Sequence, residues 1–334
     1  MKKKILFIER KFDEGPSIEN VFRQIADNLS KDKFESSFQK LEYLNDAFGT
    51  LKNLFLFRKK TADIFHITGH IHYIALIMPR KNTVLTIHDV GILYIRKGLR
   101  RFVLKKLLFD LPIRKLKYIT AVSEAAKQEI IFYTKCADEK IRVIENPVQE
   151  YFVPSGEKKF NVVCPIILQI GTRPNKNVVN LIRAVKNVKC RLKIIGVIDD
   201  EIKEELEKNE VKFENESNLD NLQIRDEYQK ADILVFCSTF EGFGLPIIEA
   251  QAMRTPVVTS NLSPMKEVAG AGAALADPFD FESIRKEIIK IIGDENFRNN
   301  LVKKGLFNIK RFNSRYIAGL YENFYEEIIE TENL

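Results

Sequence analysis

Glu241 and Glu249 bracket Gly242, Gly244 and Pro246 in the stretch "EGFGLPIIE". The apolar run "DILVFCS" (232–238) that precedes it reads as a buried parallel strand, and "PIIEAQAM" (246–253) reads as a helix. Pro246 suits the first helical turn, where its missing N–H costs nothing. Gly242 and Gly244 then lie between the carboxyl end of a strand and a helix N-terminus, where outward-pointing amides and the helix dipole favour an anion. Glycine lets that backbone approach a phosphate or a sugar closely. Carboxylates would repel the same anion, so they call for another partner. Sugar hydroxyls fit, because an ionised carboxylate accepts their hydrogen bonds. Two glutamates could thus grip two sugars on either side of a diphosphate. The plainer alternative is that Glu249 complements the dipole in the first helical turn and Glu241 is solvated.

A second anion feature is "LQIGTRPNKNVVNLIRAV", again strand, glycine, turn and helix, with Arg173 and Lys176 in the turn. Two cations there would neutralise a diphosphate, or would be ordinary solvated charges. In the first half, "LTIHDVG" puts His88 and Asp89 at a strand's end. The loop "ERKFDEGPSIENVF" carries Gly15, and Ser17 is a candidate N-cap for the helix behind it. Asp199-Asp200 after "KIIGVI" reads as an exposed loop pair rather than a metal site.

These turns need elements to hold them. Short runs rich in Ile, Val, Leu and Phe (4–9, 63–68, 83–88, 118–123, 141–146, 166–171, 191–196, 232–238, 255–260) alternate with amphipathic stretches (17–29, 99–109, 124–134, 177–188, 222–230, 246–253, 281–292). That alternation predicts parallel sheets built from β-α-β units. It pauses at 147–163, which reads as a linker with two prolines and a Ser-Gly. The last helix is expected to bury Tyr316, Leu320, Phe324 and Ile328. The expected organisation is therefore an α/β domain over 1–150, another over 151–310 and a closing helix over 311–334 that packs back on the first domain.

The chain has 334 residues, enough for two cores, with 45% hydrophobic and 30% charged residues. Cys136, Cys164, Cys190 and Cys237 form no C-x-x-C pair and are expected to be buried reduced thiols, as in a reducing cytosol. The start "MKKKILFIERKF" is too short in apolar residues for a signal peptide, and no run approaches a spanning helix. A cytoplasmic location is expected. Residues 1–150 carry 28 Lys+Arg against 18 Asp+Glu, whereas the remainder is slightly acidic. Within the basic half, "RKGLRRFVLKKLLFDLPIRKLK" (96–117) has nine Lys/Arg and one acid. It reads either as an ordinary helix with its apolar side in the core, or as a surface for anionic lipid or a lipid-linked diphosphate acceptor. The pI near 9.0 alone does not make a nucleic-acid protein, since no basic-aromatic motif accompanies it. No G-x-G-x-x-G marks a dinucleotide enzyme.

Together these residues resemble the retaining glycosyltransferases of family 4, which have the GT-B fold. The resemblance rests on Glu241-Gly-Phe-Gly-Leu-Pro-Ile-Ile-Glu249, on "TPVVTSNLSPMKEVAGAGAALADPFD" and "YQKADILVFCS", and on "TAVSE", "IRVIENPV" and "GTRPNKN". It covers nearly the whole chain and is strongest from 165 to 290. It implies two Rossmann-like domains whose parallel sheets face an interdomain cleft, an acceptor-binding first domain and a nucleotide-sugar-binding second one. Glu241 would contact the donor sugar near the reacting centre, and Glu249 the nucleotide ribose. Gly242 and the amides around Phe243, Gly244 and Leu245 would face the sugar and diphosphate. Lys176 and Arg173 would hold the diphosphate, His88 would sit over the sugar or phosphates, and Gly15 would approach the diphosphate. Two departures stand out. The first loop has "EGPS" in place of a double glycine, and the family's arginine corresponds to Arg173 or to a shifted position.

The reaction implied is hexosyl transfer from a UDP- or GDP-sugar to a glycan or lipid-linked acceptor hydroxyl with retention of configuration. It would serve cell-surface polysaccharide or glycolipid assembly, such as lipopolysaccharide or capsule. No metal or other cofactor is implied. The protein would work in the cytoplasm, with peripheral contact at the inner face of the membrane. Rival readings are a non-catalytic nucleotide-sugar-binding subunit, a sugar-nucleotide epimerase of the same fold, or a phosphorylase.

Overall fold

Each apolar run named above contains a strand, and every strand pairing is parallel. The computed structural model describes residues 2–11 and 17–334. Gly15 lies outside the described residues, and so does the side chain of Ser17. The chain divides into one unit of Met1–Pro147 with Asn313–Leu334 and another of Val148–Phe312.

The first unit holds β1 (Lys3–Glu9), β2 (Phe34–Lys40), β3 (Ile64–Ile67), β4 (Thr83–Ile87), β5 (Tyr118–Ala121) and β6 (Ile141–Val143), in spatial order β2-β1-β3-β4-β5-β6. β3 and β4 are buried at every position, which is why they read as continuous apolar runs. Its helices are α1 (Ser17–Asn28), α2 (Ala47–Leu56), α3 (Ile92–Ile95), α4 (Gly98–Lys105), α5 (Leu111–Lys115) and α6 (Glu124–Thr134). Asp46 caps α2 by accepting from the Gly49 amide, and Ser123 caps α6 by accepting from that of Ala126.

Between α4 and α5 the chain makes a π-helical turn at Lys106–Asp110. Pro112 supplies the reason. It has no N–H to offer the carbonyl four residues back, that of Leu108. The Nδ1–H of His72 takes that carbonyl instead, at 2.9 Å.

Of the two readings of the basic stretch, the ordinary core-facing helix holds for its second half, where Phe109, Ile113 and Leu116 are buried, but not for its first. α4 buries no residue at all. Leu99 is 78% exposed and Ile95 73%, with Phe102 and Val103 also exposed beside them.

The second unit holds β7 (Ile166–Ile170), β8 (Arg191–Ile195), β9 (Phe213–Glu216), β10 (Ile233–Phe236), β11 (Val257–Ser260) and β12 (Ala274–Ala276), in order β12-β11-β10-β7-β8-β9. Its helices are α7 (Val178–Val185), α8 (Asp200–Lys208), α9 (Asn221–Lys230), α10 (Leu245–Ala252), α11 (Met265–Ala269), α12 (Phe281–Gly293) and α13 (Glu295–Asn308). Ile167, Leu192, Ile194, Ile233, Val235 and Val258 build a core under α7 and α12. Asp199-Asp200 is not a loop pair: Asp199 caps α8 by accepting from the Ile202 amide at 3.0 Å.

The closing helix α14 (Ser314–Glu332) belongs to the first unit and packs beside α1. It buries Ile317, Tyr321, Phe324, Tyr325 and Ile328, while Tyr316 is exposed, so the apolar stripe is rotated from the expected one. The Tyr325 hydroxyl lies 2.6 Å from Nδ1 of the buried His66. All four cysteines are free. Cys190 and Cys237 are buried, but Cys136 and Cys164 are only partly so.

Candidate functional site

In the second sheet the chain runs outward from β7 through β8 to β9, then returns to the other side of β7 as β10. The switch point is therefore between β7 and β10, and a crevice opens there outside the carboxyl ends of the strands. The two turns singled out in the sequence, 171–177 and 237–244, follow these two strands.

Backbone bonds join them. The Thr239 amide donates to the Asn175 carbonyl at 2.8 Å. The Asn175 side-chain amide donates to the Phe240 carbonyl at 2.9 Å, and that of Asn177 to the Cys237 carbonyl at 3.0 Å. Gly171 takes φ +83°, and a Cβ there would come within 3.1 Å of the Lys176 side chain. The turn thus folds Lys176 back over its own start. Its ammonium lies 4.6 Å from the centre of the Phe236 ring and 2.6 Å from Oε1 of Glu241. Lys176 is therefore no solvated surface charge: its side chain is 19% exposed, and that of Glu241 14%. Asn175 adds a longer contact to the same carboxylate oxygen at 3.4 Å. Arg173 is exposed at the beginning of the turn.

Gly244 sits at the N-cap of α10 with φ +108°, a conformation that side chains other than glycine rarely take. The Phe243 side chain is buried against Phe312, with ring centres 5.7 Å apart, so Phe243 presents backbone to the crevice side. In the first turn Pro246 has no N–H and the Ile247 amide donates to the Gly244 carbonyl at 3.0 Å, so the Leu245 amide is the one left at the positive end of the dipole.

Glu249 lies in the second turn of α10, not the first, and so does not complement the dipole there. Its Oε2 accepts from the Tyr228 hydroxyl at 2.8 Å. Burial pushes its carboxyl up to about 7, against the pull of the Tyr228 hydrogen bond and the Lys176 charge.

His88 belongs to the other unit, just beyond the carboxyl end of β4, and is 6% exposed. Its Nε2–H donates to the Thr68 carbonyl at 2.7 Å, which leaves Nδ1 as the acceptor. Burial, with His70 close by, holds it down at about 4, so the ring is neutral at physiological pH. Among the described residues no group of three or more His, Cys, Asp or Glu is placed to hold a metal ion.

Residues 157–306 match the family of Glycosyl transferases group 1, and residues 22–150 match Glycosyltransferase Family 4. The chain belongs to the group 1 glycosyltransferases. This glycosyltransferase is 29% identical over 253 residues to the O-antigen chain mannosyltransferase RfbU of Salmonella typhimurium, covering 71% of this chain and 70% of that one. It is 25% identical over 360 aligned residues to the capsular polysaccharide biosynthesis glycosyltransferase CapM of Staphylococcus aureus, covering 99% and 92%. Among solved structures, HepE of Anabaena in complex with UDP and glucose matches with a TM-score of 0.79 at 14% identity, covering 97% of this chain and 100% of that one. That likeness shows the GT-B fold.

Two residues of the glycosyltransferase's crevice escaped the sequence reading. Tyr228 opens the quoted string "YQKADILVFCS", and Asn175 stands inside "GTRPNKN". Both were in view as motif letters. What singles them out is a carboxylate partner 21 or 66 positions away, and spacing does not reveal that.

Proposed function

We propose that this glycosyltransferase moves a hexosyl group from a nucleotide diphosphate sugar to an acceptor hydroxyl with retention, in the assembly of a cell-surface polysaccharide or glycolipid. The observation that carries the reading is the Lys176–Glu241 pair at the switch point, with Glu249 one helical stretch away. A cation for the diphosphate and carboxylates for sugar hydroxyls stand side by side. In the reaction the bond from C1 of the sugar to the phosphate oxygen breaks, and a bond from C1 to the acceptor oxygen forms on the same face. The acceptor's proton passes to the departing phosphate. Lys176, Arg173 and the backbone of Gly242, Phe243, Gly244 and Leu245 stabilise the charge that builds on the diphosphate. Glu241 holds the transferred sugar and Glu249 the ribose. The roles of His88 and Gly15 rest on the family resemblance, and the neutral His88 ring offers Nδ1 to a hydroxyl.

A relative named for mannosyl transfer and a neighbour holding UDP support a UDP- or GDP-sugar donor. A thermal-shift screen of UDP, GDP, ADP and their sugars distinguishes the bases. Donor hydrolysis that is lost in Glu241→Ala supports catalysis. Inactivity of the unaltered protein with every donor, alongside tight nucleotide binding, would instead make it a binding subunit.

The acceptor side brings in the membrane. No helix among the described residues is long and apolar enough to cross one. α3 and α4 nevertheless expose Tyr94, Ile95, Leu99, Phe102 and Val103 beside the exposed Arg96, Lys97 and Arg100. Such a face docks on the anionic, cytoplasmic leaflet, where lipid-linked acceptors are presented. Co-sedimentation with phosphatidylglycerol vesicles at low salt, and none with phosphatidylcholine, is the expected result.

A further inference from the structure

We infer that Tyr228 is a positioning residue for the nucleotide: its hydroxyl aims the Glu249 carboxylate and favours its ionised form while the other oxygen takes the ribose hydroxyls. The inference rests on the reading of Glu249 as the ribose ligand. Four observations carry it. The Tyr228 side chain is fully buried, and its hydroxyl is 2.8 Å from Oε2 of Glu249. Its ring is fixed edge-on by Phe152 at 5.4 Å and 88°. Its backbone carbonyl accepts from the Lys158 side-chain nitrogen at 2.7 Å, which burial holds down to about 7, and from the Thr255 hydroxyl at 3.1 Å. Among the described residues Glu249 Oε1 has no protein donor.

A tyrosine so braced from ring and backbone cannot follow its carboxylate partner, so the carboxylate must settle against it. A hydrogen bond to an ionised oxygen both orients it and favours the charged form. The other groups facing Glu249 are few. Tyr151 approaches from the segment after Pro147, and Lys176 from the turn after β7. From the remaining elements packed on α10, Arg311 is turned to the Glu267 carbonyl and the Asn308 side chain, and Lys310 to the ring of Phe307. Arg298 donates to the Ile291 carbonyl, and Glu267 accepts from the Ser263 hydroxyl. Tyr228 is therefore the one uncharged donor to this carboxylate among the described residues.

The test measures affinity for UDP-glucose or GDP-mannose, whichever gives the larger thermal shift, across pH 5.5–8.5 in Tyr228→Phe, Glu249→Gln and the unaltered protein. Neither probe's diphosphate diester titrates in that range. Tyr228→Phe keeps the ring and removes only the donor. Its affinity at pH 7 is expected to fall about 5-fold, with the midpoint of the pH dependence raised by about one pH unit and affinity recovering toward pH 8.5. Glu249→Gln is expected to bind weakly at every pH. Tyr228→Phe matching the unaltered protein at all pH values, with Glu249→Gln weak, overturns the role of Tyr228 and leaves Glu249 in place. Uniform weakening of Tyr228→Phe without a shifted midpoint also overturns it, because losing a hydrogen bond to the ionised carboxylate must raise the midpoint. Full affinity in Glu249→Gln overturns both readings.

Discussion

Neutralising Glu241 is expected to tighten binding of the nucleotide diphosphate while crippling transfer. The perturbation is Glu241→Gln, which keeps the shape of the side chain and removes the charge facing Lys176. At 2.6 Å the gross attraction of this pair, in a surrounding of effective dielectric near 20, is about 6 kcal/mol. Partial burial of both groups and the ordering of a long lysine offset most of that, leaving a net contribution of about 1–2 kcal/mol. In the empty protein this net term is lost in the variant, so its melting temperature should drop by roughly 2–6 °C. When a diphosphate occupies Lys176, the unaltered protein has already exchanged carboxylate for phosphate, so the loss no longer appears. The cycle then requires the variant to bind the free diphosphate roughly 5- to 30-fold more tightly. On the proposed role of Glu241, transfer loses the group that holds the sugar, with turnover expected to fall about 100-fold or more. Calorimetric titration with UDP and GDP at low salt, alongside a donor-turnover assay, reads both effects. Weaker diphosphate binding in Glu241→Gln, or unchanged turnover, would refute the reasoning.

Other outcomes follow from the same geometry. Leu99→Asp and Phe102→Asp remove exposed apolar groups, so vesicle binding should disappear while the melting temperature stays within a degree or two. Gly244→Ala forces a side chain into φ +108° with its Cβ 3.1 Å from the Ile247 side chain, and should cost about 1–3 kcal/mol in urea unfolding and weaken nucleotide binding. His66 and His72 are held at about 3 and His88 at about 4 by burial. The folded state therefore binds fewer protons than the unfolded one below the ordinary histidine range, and stability falls as pH drops through about 6.5. Each should cost about 2 kcal/mol by pH 5, read by circular dichroism in urea, and His72→Asn, which keeps a donor for the Leu108 carbonyl, should flatten the curve.

The central strands were legible because burial on both faces leaves an unbroken apolar run, as in "ILVF" at 233–236. The strands that went unread are β2, β9 and β12, all at sheet edges. β9, "FENE", is exposed at every position, so nothing in its composition marks it. α2 was missed for a related reason: it exposes Phe48, Leu51, Phe55 and Leu56 while burying Asn53, whose side chain donates to the Tyr43 carbonyl and the Tyr73 hydroxyl. The crevice residues on turns were legible from glycine, proline and charge at fixed offsets. Their pairing was not. Lys176 meets Glu241 across 65 positions because β7 and β10 are spatial neighbours, and that adjacency is a property of the sheet order. For the helix 98–105 two readings stay open in the sequence, because its apolar residues form no clean stripe and spacing does not show what covers them.

The second unit begins at Val148 and ends at Phe312, and the amide of the first donates to the carbonyl of the last at 2.9 Å. Its entrance and exit are one hydrogen bond apart, so the unit is wired into the chain as a closed loop. Evolution or an engineer can lift 148–312 out, or exchange it for a unit that reads another nucleotide, without stretching the connection it leaves behind. On the proposed assignment of the donor to 148–312 and the acceptor to the rest, donor choice and acceptor choice become separable genetic cassettes, and exchanging that single interior segment is expected to change the sugar.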